Sequence, residues 1–221
     1  MPKMNYGNNI GVSLRFMMEQ DPSFRTVAYF SMEVGLKAGI PTYSGGLGVL
    51  AGDILKSAAD LGVPMAGVTL LYRKGYFRQT FDDCLQEALP VEWDPGKELT
   101  LLPNEVTVII EERIVKVRAW CLEIQGRTGF TVPVYFLDTD LDGNTPEDRQ
   151  LTWYLYGGDE RYRLCQEIIL GSGGLRMLRD LGYSNIDDYH LNEGHAAFLL
   201  LELIREMGYE NYDRVRERGI F

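Results

Sequence analysis

A glycine-rich turn followed directly by a helical pattern is the feature that most limits how this chain can fold. The run Tyr43-Ser44-Gly45-Gly46-Leu47-Gly48 holds three glycines in four residues. Residues 47–61 then carry apolar side chains at helical spacing, and the predicted buried face consists of Leu47, Leu50, Ala51, Ile54, Leu55, Ala58 and Leu61. Glycine permits positive φ angles and leaves backbone N–H groups uncovered. A helix N-terminus at such a turn can bind an anion, because its unpaired N–H groups and the positive end of the helix dipole coincide. The run predicts a turn that contacts a phosphate or a sugar, or one that only links a strand to a helix.

The segments on either side of the turn predict parallel strands. Val27–Ser31 is compact and apolar, and residues 64–72 form a near-continuous apolar run, which is typical of a strand buried on both faces. Strand, turn, helix and strand together predict a βαβ-like unit of an α/β domain. A dinucleotide fingerprint is formally matched by Gly46, Gly48 and Ala51. It is disfavoured, because the first strand ends well before the turn and no acidic residue closes the second.

Composition and charge narrow the class of protein. The chain has 221 residues and a net charge of -10, which argues against a nucleic-acid partner. Its three cysteines are widely spaced, which indicates reduced thiols rather than a disulfide framework. Neither a signal peptide nor an apolar run of about 20 residues is evident. We expect a cytoplasmic protein with no membrane partner and no metal site, in which residues 1–221 form part of one domain.

The middle of the chain predicts a β-hairpin and a further strand. Residues 106–111 and 114–123 alternate in period two, although Glu111-Glu112-Arg113 is not an ideal two-residue turn. Residues 131–138 form another apolar run and end in an aspartate.

Helical patterns occupy much of the remaining sequence. We predict helices at residues 8–20, from Pro146, at residues 159–181, and from an N-cap at Asn192 to about Met207. The segment G-S-G-G at 171–174 interrupts the third of these, and we interpret it as a place of close packing against a neighbouring element. After Gly219 an apolar segment begins, so we expect the chain to be truncated.

Two acidic residues lie where a site could form. Glu33 follows the first core strand, and ligands of α/β sheets bind at the carboxyl ends of strands. A solvated loop carboxylate is an equally good interpretation. Asp159 follows the glycine pair of L-Y-G-G-D, which suggests a mobile approach to a helix, although an N-cap aspartate is the commoner role.

The only two histidines of the chain, His190 and His195, lie in H-L-N-E-G-H with Glu193 between them. The spacing matches no common zinc motif. With Asn192 as N-cap, His195 falls in the first turn of a helix, where the dipole favours a neutral imidazole that can hydrogen-bond sugar hydroxyls. A capping Asn192 with a structural His195 is the simpler alternative.

Taken together, these segments resemble a known family. The order of five motifs is similar to that in the N-terminal region of the α-glucan (glycogen or maltodextrin) phosphorylases, in their shorter prokaryotic form. The motifs are V-A-Y-F-S-M-E at 27–33, Y-S-G-G-L-G-V-L-A-G-D at 43–53, L-Y-G-G-D at 155–159, Q-E-I-I-L-G at 166–171 and H-L-N-E-G-H-A-A-F at 190–198.

The resemblance implies a Rossmann-like, parallel-sheet N-terminal domain of a GT-B glycosyltransferase, with additional β-hairpin elements. The implied reaction is reversible phosphorolysis of α-1,4-glucan ends to glucose 1-phosphate, and the implied cofactor is pyridoxal phosphate, whose phosphate group relays a proton. The resemblance assigns roles to seven residues. The backbone of Gly45 and Gly46 contacts the substrate phosphate, Leu47 lies by the glucose, Glu33 is an active-site carboxylate, Asp159 belongs to a gate loop, and Glu193 and His195 line the cleft.

The chain also departs from the family pattern. The family's cofactor lysine and phosphate-clamping cations lie in a C-terminal domain that has no counterpart in this chain. We therefore expect an N-terminal fragment that is inactive alone. Its expected partners are the missing C-terminal domain, α-1,4-glucan and inorganic phosphate, with a second copy of the chain as a further candidate. Two alternatives stay open. One is a non-catalytic glucan-binding or assembly protein of the same fold. The other is a glycogen synthase-like transferase, which Ser44 disfavours because a lysine usually stands there.

Overall fold

The computed structural model describes residues 25–76, 78–82, 85–89 and 91–220. The helix predicted at residues 8–20 lies outside this part of the chain. These ranges contain nine strands, β1 (Val27–Ser31), β2 (Met65–Leu70), β3 (Arg78–Asp82), β4 (Leu85–Leu89), β5 (Thr100–Ile110), β6 (Arg113–Gln125), β7 (Thr131–Asp138), β8 (Asp188–Asn192) and β9 (Gly219–Ile220). The helices are α1 (Gly46–Leu61), α2 (Pro95–Glu98), α3 (Pro146–Arg149), α4 (Glu160–Ile168), α5 (Gly174–Asp180), α6 (Phe198–Met207) and α7 (Tyr212–Arg218).

A mostly parallel sheet forms the centre of the molecule. Its seven strands run in the order β5-β6-β7-β2-β1-β8-β9, and β3 pairs with β4 in a separate hairpin. The strands β7, β2, β1, β8 and β9 are parallel, whereas β5 and β6 join as an antiparallel hairpin against β7. All six residues of β2 are buried. The predicted α/β class, βαβ unit and hairpin are therefore confirmed.

Helix α1 packs on one face of the sheet, and its buried face differs in part from the predicted one. Ala51, Leu55 and Ala58 are buried as expected, but Leu50 and Leu61 are 52% and 78% exposed. A Cβ added at Gly52 would lie 2.0 Å from the carbonyl oxygen of Gly35. The helix approaches the chain after β1 so closely that glycines occupy the contact in place of the leucines.

The helices α4, α5 and α6 lie on the opposite face, over a second apolar core. The pattern predicted as one helix at residues 159–181 is α4 and α5 joined by a π-helical turn at Ile169–Gly173. A Cβ at Gly171 would lie 2.6 Å from the backbone nitrogen of Leu199 in α6, and one at Gly174 would lie 2.7 Å from the ring of Phe30. The interpretation of this glycine segment as a close-packing element is confirmed.

The β5–β6 hairpin turns through Glu111 and Glu112, whose φ angles are +49° and +66°. Non-glycine residues are uncommon in this region. The Glu111 carboxylate accepts hydrogen bonds from Arg161 of α4 and from Arg113, and these bonds lower its pKa to about 2. Ion pairing to the neighbouring helix thus supports a turn that lacks glycine.

A buried ion cluster lies at the carboxyl end of β7. The carboxylate of Asp138 is fully buried and accepts hydrogen bonds from Arg73 at 2.7 Å, Arg118 at 2.9 Å and the indole of Trp120 at 3.1 Å. Burial alone would raise the pKa of Asp138, but the hydrogen bonds and charge of Arg73, with further help from Trp120, bring it below the ordinary value. The carboxylate is therefore ionised inside the fold.

Cys121 and Cys165 are buried and unpaired, as expected for reduced thiols. In the described ranges, no helix is both long and apolar enough to cross a membrane.

Candidate functional site

Glu33 lies two residues beyond the end of β1, and its side chain binds the glycine turn. The residue is 3% exposed. Its Oε2 accepts the N–H of Ser44 at 2.5 Å and the N–H of Gly45 at 3.3 Å. The carboxylate expected at the end of this strand is present, and the alternative of a solvated loop carboxylate is wrong.

The glycine turn differs from the predicted one in its backbone. Gly45 is the N-cap of α1 with φ −158°, and neither Gly46 nor Gly48 has a positive φ. A Cβ at Gly48 would lie 2.4 Å from that of Tyr43, so packing requires glycine there. A Cβ at Gly45 or Gly46 would meet no atom of the described chain within 4 Å. Neither conformation nor internal packing therefore explains the first two glycines.

The first turn of α1 offers free donors. The initial N–H groups of any α-helix lack intrahelical acceptors. Among the described residues, no acceptor pairs with the N–H groups of Gly46, Leu47 and Gly48, while Val49 donates to the carbonyl of Gly45. Leu47 itself is half-buried, and Gly46 is exposed. Unpaired N–H groups at a helix start, on which the predicted anion site depends, are present beside the Glu33 carboxylate.

Tyr156 connects this turn to the opposite side of the site. Its hydroxyl donates to Glu33 Oε1 at 3.0 Å, and its φ is +56°. Burial and, after it, the charge of Glu33 raise the pKa of Tyr156. Its ring packs edge-on against Tyr76 and lies 6.5 Å from the ring of His195. A phenol that stays protonated thus links Glu33 to the histidine segment.

His195 is held through one ring nitrogen. Its Nδ1 lies 3.3 Å from Glu167 Oε1 and 3.3 Å from the guanidinium of Arg163. The tautomer decides whether Nδ1 donates to the carboxylate or accepts from the guanidinium. In the described part of the chain Nε2 has no partner. The imidazole is oriented, with one nitrogen left for a ligand.

The predicted capping role of Asn192 is wrong. Asn192 is the last residue of β8, buried, and its side chain donates to the hydroxyl of Ser31 at 3.1 Å across the sheet. Glu193 then turns the chain with a φ of +66°. His195 lies in a 3₁₀ turn, Gly194–Ala196, and α6 begins only at Phe198. The argument that an α-helix dipole acts on His195 does not hold.

Two further predicted residues lie at the edge of this group. Glu193 is exposed, and its charge raises the pKa of Tyr156 less than burial and the charge of Glu33 do. Asp159 is the N-cap of α4 and accepts the N–H of Tyr162 at 2.8 Å. Asp159 therefore caps the helix, which is the commoner role of an aspartate at this position. Among the described residues its carboxylate makes no contact with Glu33 or His195.

The residues that sequence reasoning missed are those that connect the predicted ones. Tyr156, Arg163 and Glu167 supply these contacts, and the Arg163 guanidinium also lies over the Tyr156 ring at 5.7 Å. The i, i+4 spacing of Arg163 and Glu167 on a predicted helix is a signal that could have identified that pair. No sequence signal indicates that Tyr156 reaches Glu33, 123 residues away.

The described residues offer no metal centre, since they contain no group of three histidine, cysteine, aspartate or glutamate side chains that could hold an ion. Nor does any lysine in those ranges bond to Glu33, Tyr156 or His195. Lys74, for example, lies over the ring of Trp153.

Comparisons with known proteins agree on one family. A family model described as carbohydrate phosphorylase matches residues 35–117. The glycogen phosphorylase of Mycobacterium tuberculosis is 43% identical over 196 residues, which are 82% of this chain and 22% of that protein. The maltodextrin phosphorylase of Thermococcus litoralis is 46% identical over 182 residues, or 78% of this chain and 21% of that protein. The glycogen phosphorylase of Aquifex aeolicus is 34% identical over 194 residues, or 82% and 27%.

The chain thus spans between 21% and 27% of the length of these relatives. The family-model match covers the glycine turn, helix α1, strand β2, strand β5 and the first residues of β6. The chain belongs to the carbohydrate phosphorylase family.

Proposed function

We propose that the chain forms one wall of the active site of an α-glucan phosphorylase. This enzyme cleaves terminal α-1,4 bonds of glycogen or maltodextrin with inorganic phosphate and releases glucose 1-phosphate, and the reaction is reversible. The proposal treats the parallel sheet as the N-terminal, Rossmann-like domain of a GT-B transferase. It is supported by the relatives named above and by the site at the carboxyl ends of β1 and β8.

One observation carries the proposal. Gly45 and Gly46 stand in open space, where a side chain would meet nothing in the described chain, and three helix N–H groups beside them lack acceptors. A turn shaped only for folding would need each glycine for conformation or packing, and at Gly45 and Gly46 this turn needs it for neither. A ligand that approaches the backbone closely explains both glycines, and the N–H groups select an anion.

The charges of the site indicate that phosphate binding needs further groups. Glu33 brings a carboxylate against the same turn. Among the side chains in contact with Glu33, Tyr156 and His195, the only cation in the described ranges is Arg163. An anion at Gly46 would be repelled by Glu33 unless cations from elsewhere in the enzyme face it. We propose that these lie outside the chain, and that the chain alone is inactive.

The remaining residues of the site would act on the sugar. His195, held at Nδ1, would hydrogen-bond a glucose hydroxyl through Nε2, and Glu193 would face the same cleft from its turn. Asp159 would place the segment 155–159 at the cleft entrance. The cofactor proposed from the family, pyridoxal phosphate, would supply a phosphate that relays a proton. Among the described residues no lysine bonds to Glu33, Tyr156 or His195, so we propose that the group that holds this cofactor lies outside these residues.

Replacing Gly46 by valine should reduce catalysis far more than stability. In the enzyme that carries this chain, we expect kcat/KM for phosphate to fall about 100-fold, the size of losing a backbone oxyanion donor. The added side chain would stand where the phosphate approaches, and its Cβ would meet no other atom of the described chain within 4 Å. Steady-state kinetics with varied phosphate measure this effect.

Leu50→Val is the matched control, because it places the same side chain on the same helix at an exposed position. It should leave kcat/KM unchanged. If Gly46→Val lowered the melting temperature and the activity in parallel, the turn would be purely structural and the proposal would lose its main support.

Replacing His195 by alanine should lower kcat/KM for the glucan by about 10- to 150-fold, which corresponds to about 1.5–3 kcal/mol for a polar contact to substrate. His190→Ala serves as the control, since His190 lies on β8 with its ring 4.8 Å from that of Tyr29 and makes no described contact with Glu33 or Tyr156. Normal efficiency of the His195→Ala enzyme would exclude a role of this imidazole in sugar binding.

A further inference from the structure

A solvent-open pocket lies at the carboxyl ends of β2 and β7, beside the buried carboxylate of Asp138. Its volume is about 540 Å³, and its walls include Arg73, Lys116, Arg118, Asp140, Gly143 and Arg149. The carboxyl ends of parallel strands are the usual ligand sites of α/β sheets. None of these residues makes a described contact with Glu33, Tyr156 or His195, so the pocket is separate from the site proposed above.

Four cationic side chains converge on this pocket in a chain of net charge −10. The side chains of Arg73, Arg118 and Arg149 are 22%, 24% and 37% exposed, so each is partly withdrawn from water. Lys116 is exposed at the pocket wall. A concentration of cations in an otherwise acidic protein points to a ligand of negative charge.

The carboxylates at the base of the pocket are already occupied. Asp138 accepts from Arg73, Arg118, Trp120 and the N–H of Asp140. Asp140 in turn accepts from Arg149 at 2.6 Å and lies 3.3 Å from Arg73. These two acids hold the guanidinium groups in place and have little capacity left to accept hydrogen bonds from a ligand.

Donors, by contrast, remain free. In the described chain, no acceptor pairs with Arg73 Nη1, Arg118 Nη1, Arg149 Nη2 or Lys116 Nζ. Lys116 Nζ lies 2.8 Å from where a Cβ of Gly143 would stand, so that glycine leaves room for the ammonium group.

The other two acids of the pocket, Glu105 and Asp142, do not neutralise its interior. Glu105 is exposed, and the side chain of Asp142 is 100% exposed, so solvent screens both charges. An interior with free guanidinium and ammonium donors but saturated acceptors matches an oxyanion.

We propose that this pocket binds the phosphate group of free inorganic phosphate or of a phosphorylated sugar. Its volume lies in the range of small-molecule sites and exceeds what a phosphate alone would fill, which leaves room for a sugar ring. The inference does not rest on the proposed activity, because it uses a different set of residues on a different part of the sheet edge.

Titration calorimetry of the full chain with inorganic phosphate and with glucose 1-phosphate tests the proposal. Lys116→Gln should weaken binding of both about tenfold, the size of one charge-assisted hydrogen bond. The variant should keep the wild-type melting temperature, because the Lys116 side chain has no described partner. Lys97→Gln, the same charge change at another exposed lysine, should leave binding unchanged. Gly46→Val is measured beside it, because any binding lost in that variant but not in Lys116→Gln belongs to the glycine turn and not to this pocket.

The outcomes separate the two sites. Equal affinity for both ligands would assign the pocket to free phosphate, and tighter binding of glucose 1-phosphate would assign it to a sugar phosphate. NMR shifts induced by phosphate at the amides of Asp142 and Gly143 would support either assignment. Absence of binding, equal weakening by Lys97→Gln, loss of binding only in Gly46→Val, or equally tight binding of unphosphorylated glucose would each overturn the proposal.

Discussion

The Asp138→Asn chain is expected to unfold with about 3 kcal/mol less free energy than the wild type. Removing one partner of a buried ion pair typically costs about 3–5 kcal/mol, because the remaining charge is left uncompensated. The lower end applies here, since Arg73 and Arg118 are 22% and 24% exposed and water can reach them. Urea denaturation followed by circular dichroism measures the change.

Asp142→Asn makes the same substitution at a fully exposed carboxylate that holds a single guanidinium. It should alter stability by no more than about 0.5 kcal/mol. Equal effects of the two variants would show that the buried cluster contributes no more than a surface ion pair.

The pH dependence gives an independent check. The folded pKa of Asp138 lies below its unfolded value, near 3.9, so its contribution to stability is complete above that value and is lost as pH falls through the folded pKa. The Asn variant should lack this part of the acid limb. The stability difference between the two proteins should therefore narrow below about pH 4.

The Gly52→Ala chain should lose about 2 kcal/mol of stability. Alanine is better than glycine in a helix by about 1 kcal/mol, which favours the variant. The added Cβ, however, would lie 2.0 Å from the Gly35 carbonyl oxygen and 2.9 Å from its carbon, both of them backbone atoms. Overpacking at such a contact costs up to about 3 kcal/mol or more, and the steric effect is expected to prevail.

Gly46→Ala on the same helix is the comparison for this prediction, because its Cβ would meet no described atom within 4 Å. Its stability should equal or slightly exceed that of the wild type. A Gly52→Ala chain as stable as the wild type would show that α1 can move away from the loop after β1.

Much of the fold was predictable because its signals are local. The apolar runs of β1, β2 and β7 and the period-two hairpin correspond closely to the observed strands. The buried face of α1 was predicted only in part, because a close approach to the backbone of Gly35 cannot be read from hydrophobic spacing. The misassigned N-cap has a similar cause, since Asn192 pairs with Ser31 of a strand 161 residues away.

The individual residues of the candidate site were predictable from the sequence, but the hydrogen bonds that connect them were not. Glu33 and the glycine turn stand out because each follows a predicted strand or precedes a helix. Their direct contact is a property of how the loop after β1 folds back, and no periodicity encodes it. The link through Tyr156 depends on a positive φ at a residue that sequence statistics would place elsewhere.

The bond between Glu33 and the glycine turn has a consequence for the energetics of substrate capture. Its carboxylate satisfies the Ser44 and Gly45 N–H groups while no ligand is present, so the turn keeps its shape in the free protein. A loop ordered in advance loses little conformational entropy when it binds. At the phosphate site proposed above, the barrier to an incoming anion would instead be electrostatic, and opposing cations from the rest of the proposed enzyme would lower it. The free-energy difference between the empty and the occupied cleft would then come from electrostatic interactions and not from the ordering of a flexible loop.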